Sequence, residues 1–272
     1  MCGRFVSARK RLELLEEFAV ERDRVAQDRN PDYNVAPTKR IYAVLSRGDG
    51  GREAPNAGEQ AEGKSAEPAR ELRLVRWGLV PTWAKDKSGG ARMINARSET
   101  VAVKPSFRSA FARRRCIIPA DGYYEWQAEG KAKKPFYIYR TDGGVLAFAG
   151  IYELWRDESV PADHEDAWYW SAAIITTEAA DEIGKIHDRT PMVVPPESWA
   201  DWLDPANNDK QLLLATMLPA TSPGAGGLRS HPVSTAVNSV RNNGPELVEP
   251  LLDDGSPARA PGSGEGERPP LF

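Results

Sequence analysis

The chain has 272 residues, of which 28% are charged and 40% hydrophobic, and a formal net charge of −3. That is enough chain for one large domain with a real core, and the balance excludes a wholly disordered polymer. Two cysteines exclude a disulfide scaffold, three histidines without CxxC, HxH or HExxH spacing leave no zinc set, and no apolar run approaches the ~20 residues a bilayer requires. Two cysteines and no charged leader before an apolar segment make a cytoplasmic protein the expectation; a monomer without a cofactor is expected as well.

The opening residues, Met1-Cys2-Gly3-Arg4-Phe5, carry a reagent in latent form. Removal of Met1 leaves Cys2 first in the chain, with a thiol and an α-amine on neighbouring carbons. An α-amine titrates near 7.7 to 8.0, so roughly a tenth of it or more is free base at neutral pH. The thiolate is the nucleophilic form of cysteine. Together they can attack one aldehyde carbon twice and close a five-membered thiazolidine. A small apolar residue tucked under the fold is the other reading of Cys2.

Ser7 is placed to cap a helix over 9–19, with Leu12, Leu15 and Phe18 or Ala19 on one face. Further helices are predicted over 106–114, 178–185, 196–203 and 209–217. Strands are predicted over 41–46, 72–77, 116–118, 122–127, 136–140, 145–153, 168–176, 191–194 and 229–234. Residues 47–71 and 253–272 are rich in Gly, Pro, Ala, Glu and Ser and read as a flexible loop and a disordered tail. Strands outnumber helices and often follow one another directly. The predicted fold is therefore α+β, a single domain over 2–252 with a largely antiparallel, barrel-like β core flanked by short helices. Within it, Cys116 in Cys116-Ile117-Ile118-Pro119 is expected to be a buried strand residue.

Charge is unevenly spread. Between Arg73 and Arg140 fifteen Lys/Arg face five Asp/Glu, an excess of ten positive charges in an otherwise acidic chain. Such a segment can build a polyanion site or be a solvated basic face. Trp77, Trp83 and Trp126 lie in or beside it, and aromatic faces among cations can stack bases at ~1 to 3 kcal/mol each.

Three groups of residues could carry chemistry. In Ile94-Asn95-Ala96-Arg97-Ser98-Glu99, extended backbone would put Asn95, Arg97 and Glu99 on one face, either a functional surface or an exposed edge. In Asp121-Gly122-Tyr123-Tyr124-Glu125-Trp126, alternation sets Glu125 beside Tyr123, facing away from Tyr124 and Trp126. Desolvation there would raise the Glu125 pKa and suit it to proton transfer, unless an arginine pairs with it. Ile186-His187-Asp188-Arg189 places the one histidine in chemical company, between an acid and a base.

The motifs MCGRF at the start, YNVAPT at 33–38, RWGLVPTWAKD at 76–86, INARSET at 94–100, FRSAFARRRCIIPADGYYEW at 107–126, IHDRTPMVV at 186–194 and HPVSTAVN at 231–238 resemble the SRAP family. These are the SOS-response-associated peptidases, understood as abasic-site processing proteins. The resemblance implies that Cys2, freed of Met1, attacks the ring-opened aldehyde of an abasic site in single-stranded DNA and closes a thiazolidine crosslink. It implies Asn95, Glu125 and His187 as the catalytic partners of Cys2, and DNA contacts from Arg4, Asn34, Pro37, Trp83, Arg97, Thr177 and Arg189, with the protein nucleoid-associated when bound to DNA. Two other classes compete: an N-terminal-nucleophile amidohydrolase or peptidase, and a non-covalent single-strand binding module in which Cys2 is incidental.

Overall fold

In the computed structural model, residues 2–47, 68–161, 164, 167–179, 181–222 and 227–251 are described. In chain order the strands are β1 (Phe5–Ser7), β2 (Arg22–Asp23), β3 (Asp32–Val35), β4 (Arg40–Arg47), β5 (Ala69–Trp77), β6 (Asn95–Arg97) and β7 (Arg115–Ala120). They continue as β8 (Gly122–Glu129), β9 (Ala132–Arg140), β10 (Leu146–Arg156), β11 (Trp168–Glu178), β12 (Arg189–Val193), β13 (Leu218–Pro219) and β14 (Leu228–Pro232). The helices are short: α1 (Arg11–Glu17), α2 (Ser98–Val101), α3 (Arg108–Arg113), α4 (Asp181–Gly184), α5 (Trp199–Leu203) and α6 (Lys210–Ala215).

A closed ring runs β4–β5–β11–β10–β7 and back to β4, antiparallel at every step except the parallel β5–β11 pair. This is the barrel-like core predicted from the succession of strands. Closure removes the exposed edges that an open sheet of these apolar strands would present. The ring strands alternate with period two. Tyr42, Val44, Leu72, Ile117, Ala173 and Ile175 fall in one apolar cluster with α1, α3 and α5. Ile41, Leu45, Val75, Ile118, Phe148 and Ile174 fall in another with Cys2, Phe5 and Tyr123 of the second sheet. That second sheet, ordered β14-β9-β8-β1-β3, thus lies against the ring and brings the N-terminus to it.

Several boundaries move. Strand β4 runs on to Arg47 and β5 starts at Ala69, because Leu45–Glu71 and Arg47–Ala69 are in register, so the predicted loop of 47–71 is shorter at both ends. The rest of it, 48–67, lies outside the described residues, as does the predicted tail of 253–272. The first helix begins at Arg11, and Ser7 belongs to β1 rather than to a cap. Its buried face is Leu14 and Phe18, one helical turn apart, while Leu12 is 72% exposed. Cys116 is fully buried on β7, as its neighbours predict.

The basic segment is not one face. Arg73 pairs with Glu71, Arg114 with Glu153 and Arg140 with Asp142. Arg115 is buried on β7 and its guanidinium donates to the backbone carbonyls of Trp202, Phe111, Ala112, Asp204 and Asn207, tying the ends of α3 and α5 to the barrel. Truncating Arg115 to Ala removes the side-chain donor from all five carbonyls, of which Asp204 O keeps the Asn207 amide (3.2 Å). Hydrogen bonds to a charged group are worth about 1.5 to 3 kcal/mol each, less what water regains, so a loss of roughly 3 kcal/mol or more is expected in denaturant melts.

Candidate active site

Strand β1 pairs with β8 through Phe5–Tyr123 and Val6–Gly122, and Tyr124 N–H donates to Arg4 O (2.9 Å), carrying the pairing toward the N-terminus. Cys2 therefore lies alongside the inward face of β8, which carries Glu125. The Cys2 side chain is fully buried. Burial pushes its thiol up and the Glu125 charge pushes it further, against the charge of the N-terminal amine and a hydrogen bond from the Arg4 backbone amide. The sulfur is thus held as a neutral thiol, and its deprotonation requires a nearby acceptor.

Glu125 is the carboxylate whose charge reaches that thiol. Its alternation on β8 is the predicted one, with Tyr123 on the same side in the Cys2 cluster and Tyr124 in a separate one. Burial pushes its carboxyl up to about 7, in the range where a group both takes and returns protons at neutral pH. Among the described residues His187 comes close to it, with Nε2 4.0 Å from Oε2.

His187 follows α4 and is held by backbone hydrogen bonds, its own N–H to Ile183 O (3.1 Å) and the Arg189 amide to its Nδ1 (3.0 Å). The bond at Nδ1 leaves the proton of the neutral ring on Nε2, toward Glu125. Burial lowers the imidazole pKa, which favours that neutral form. Asp188 Oδ1, 2.9 Å from Nδ1, competes for the nitrogen and stabilises the ring when it is charged.

Asn95 enters from the opposite sheet. As the first residue of β6 it is paired in parallel with Ile174 of β11, and its Nδ2 donates to Cys2 O (2.7 Å). Its Oδ1 is buried and accepts no hydrogen bond among the described residues. One end of the amide fixes the backbone of Cys2, and the other is an acceptor for an amine or hydroxyl brought to that residue.

The predicted face of Asn95, Arg97 and Glu99 is not continuous. The strand ends at Arg97 and α2 begins at Ser98, where the helical turn buries Val101 in the core. Glu99 swings away to hold Arg189 through both carboxylate oxygens (2.8 and 3.1 Å), with Thr177 Oγ1 also at 3.4 Å. Sequence spacing offered no signal for this pair, 90 residues apart. Arg97 is exposed and shares with Asn95, Arg92 and Lys104 a groove of about 690 Å³ beside α2.

The remaining predicted contacts divide. Trp83 is 65% exposed and Pro37 half-buried at the turn before β4. Asn34 is fully buried: its Nδ2 donates to the carbonyls of Val237 (3.3 Å), Ser239 (3.0 Å) and Asn242 (2.9 Å), and its Oδ1 accepts from Arg4 (2.6 Å). Its side chain meets Arg4 and the 237–242 backbone, not solvent, and Arg4 in turn lies over the Trp126 ring (5.7 Å). Replacing Asn34 with Ala removes one of the two Arg4 contacts, Arg4 keeping Val237 O (2.8 Å), and takes the side-chain donor from the carbonyls of Val237, Ser239 and Asn242, so thermal melts should show a loss of roughly 2 kcal/mol.

The model of the SOS response associated peptidase (SRAP) family matches residues 1–240. The chain belongs to the SRAP family. Among its SRAP relatives, YoqW of Bacillus subtilis, named an abasic site processing protein, is 36% identical over 250 residues, covering 92% of this chain and 99% of that one. YedK of Escherichia coli, of the same description, is 34% identical over 259 residues and is covered completely, 100% of its length. The crystal structure of a Bacteroides thetaiotaomicron protein superposes with a TM-score of 0.71 at 23% identity over 92% of this chain, a likeness of fold. Among the described residues no helix is long and apolar enough to cross a membrane, and no three or more His, Cys, Asp or Glu gather as a metal site.

Proposed function

We propose that this SRAP protein captures abasic sites in single-stranded DNA as a covalent thiazolidine through Cys2, shielding the lesion in the response to DNA damage. The observation that carries the reading is the meeting of Cys2, Asn95, Glu125 and His187 from four separate segments at the start of the chain. The naming of YoqW and YedK as abasic site processing proteins supports the substrate.

Loss of Met1 frees the α-amine. His187 donates through Nε2–H to the ring oxygen of the closed sugar while the C1 hydroxyl gives its proton to solvent, from which the imidazole is reprotonated, and the open aldehyde results. The amine attacks the aldehyde carbon, and the carbinolamine loses water with the proton that Glu125 supplies. The Cys2 thiol then adds to the imine carbon: a C–S bond forms, and the thiol proton passes by way of Glu125 to the nitrogen. The net reaction releases one water. Run backward through the same carboxyl, these steps reverse the crosslink. Asn95 orients Cys2 without titrating.

Arg4, Arg97, Arg189 and Thr177 contribute positioning, with Trp83 and Pro37 set against bases. Phosphate contacts of this kind carry no sequence information, so binding is sequence-tolerant and falls with salt. The peptidase in the family's description fits removal of Met1 by the protein itself, as an N-terminal-nucleophile reaction ahead of Cys2. A denaturing gel tests the proposal. Met-processed protein and a single-stranded oligonucleotide bearing one abasic site should give a heat-stable shifted band that an intact oligonucleotide does not. No band from protein with a confirmed N-terminal cysteine contradicts it and returns attention to amide substrates.

A further inference from the structure

A second pocket, of about 350 Å³, is not used by the chemistry above; Trp77, Thr38, Arg76, Lys87, Ser88 and Tyr169 are among its walls. Its connection to the site is short. Trp77 Nε1 donates to Ile94 O (2.9 Å), the residue before Asn95, and Thr38 N–H, next to Pro37, donates to Trp77 O (2.8 Å).

Its cations are arranged at a cost. Arg40 and Arg76 are direct cross-strand partners between β4 and β5, a like-charge pairing that weakens a sheet by several tenths of a kcal/mol. Neither makes an ion pair among the described residues. Arg76 donates to Thr38 O (2.6 Å) and lies 5.7 Å over the Tyr169 ring, and Lys87 lies 5.8 Å over the same ring. Among the described residues Asp157 faces the cluster, 3.6 Å from Lys87.

The walls are fixed. Gly78, at φ 129, lets its backbone approach Gly90 so closely that a Cβ there would lie 2.6 Å from Gly90 O, pinning the 79–91 segment to β5. Trp155 packs edge-on against Tyr169 and donates to Ala84 O (2.7 Å), beside Trp83.

We infer that Arg76, Lys87 and Tyr169, with Arg40 at the rim, form a second phosphate-binding subsite that holds a nucleotide of the same DNA strand beyond the Pro37–Trp83 side. The inference rests on the functional reading above and deepens it: the strand passes Trp83 and is held again outside the reactive centre. A phosphate on Arg76 and Arg40 relieves their mutual repulsion, and the pocket leaves room for a base beside Tyr169.

The test is the salt dependence of binding to undamaged single strands of two lengths, one reaching past the Trp83 side and one ending there, read by fluorescence anisotropy. For the long strand, Arg76→Gln and Lys87→Gln should each lower the slope of log K against log salt by about 0.7. For the short strand the slopes should match the wild type. Lys87 is on the surface, so K87Q keeps the test valid if R76Q does not fold. Unchanged slopes with the long strand overturn the subsite, and so does an equal drop with both lengths. A free deoxynucleotide or inorganic phosphate that displaces the long strand at millimolar concentration through these residues would reassign the pocket to a free ligand. Covalent capture of the short abasic strand by the wild-type protein tests the functional reading separately, since that strand does not reach the pocket.

Discussion

Cys2→Ala is expected to abolish the heat-stable adduct while leaving the fold intact. The substitution keeps the α-amine, so the amine still condenses with the aldehyde, but the reaction stops at an imine that water reverses. Borohydride should therefore trap an adduct with the variant that heat alone destroys, whereas the wild-type adduct survives heating without reductant. Cys2 is fully buried in the cluster with Phe5, Tyr123 and Ile174. Removing its sulfur leaves a small void at a cost of about 1 kcal/mol, too little to unfold a domain of this size. A heat-stable adduct formed by Cys2→Ala without reductant would place the chemistry on another nucleophile.

Glu125→Gln should slow adduct formation by about 10² or more, the usual contribution of a positioned acid-base group. Wild-type capture should rise with pH through an inflection close to 7, as the carboxyl becomes able to accept the thiol proton, and that inflection should vanish in the glutamine variant. Stability moves the other way. The carboxyl titrates at about 7 in the fold against 4.5 unfolded, so between those values the native state binds the extra proton and stability falls as pH rises. Above pH 7 the buried charge costs roughly 3 kcal/mol, and glutamine removes that cost. The variant should melt higher than wild type at pH 8 and level with it near pH 4. Equal melting at both values would mean that Glu125 is not desolvated.

That combination, a slower and more stable variant, separates a functional carboxyl from a structural one, and it was foreshadowed in the sequence. The period-two alternation of Gly122–Glu129 sets Glu125 on the Tyr123 side because a strand has no other way to face its residues, and Cys116 among Ile and Pro reads as core for the same reason. His187 between Asp188 and the helix end stood out by its neighbours. What local pattern does not encode is partnership across the fold. Glu99 continues an apparent strand, yet burial of Val101 turns the chain into α2 and delivers Glu99 to Arg189. Asn34 and Arg115 carry polar side chains that sequence assigns to a surface. Both are buried because they satisfy backbone carbonyls of segments more than 80 residues away. Leu12 and Leu14 are equally apolar, and the spacing of Leu14 to Phe18 fits the buried side only once the barrel is present. Charge counting misled in the same manner, since Arg73, Arg114, Arg115 and Arg140 of the basic segment serve the fold.

Covalent capture through Cys2 is tested most directly by the intact mass and thiol content of the DNA-bound product. The thiazolidine predicts a mass equal to protein plus abasic oligonucleotide less one water. After denaturation it predicts one titratable thiol, Cys116, where the free protein has two. An adduct that retains both thiols, or whose DNA maps to a lysine, would contradict the role given to Cys2.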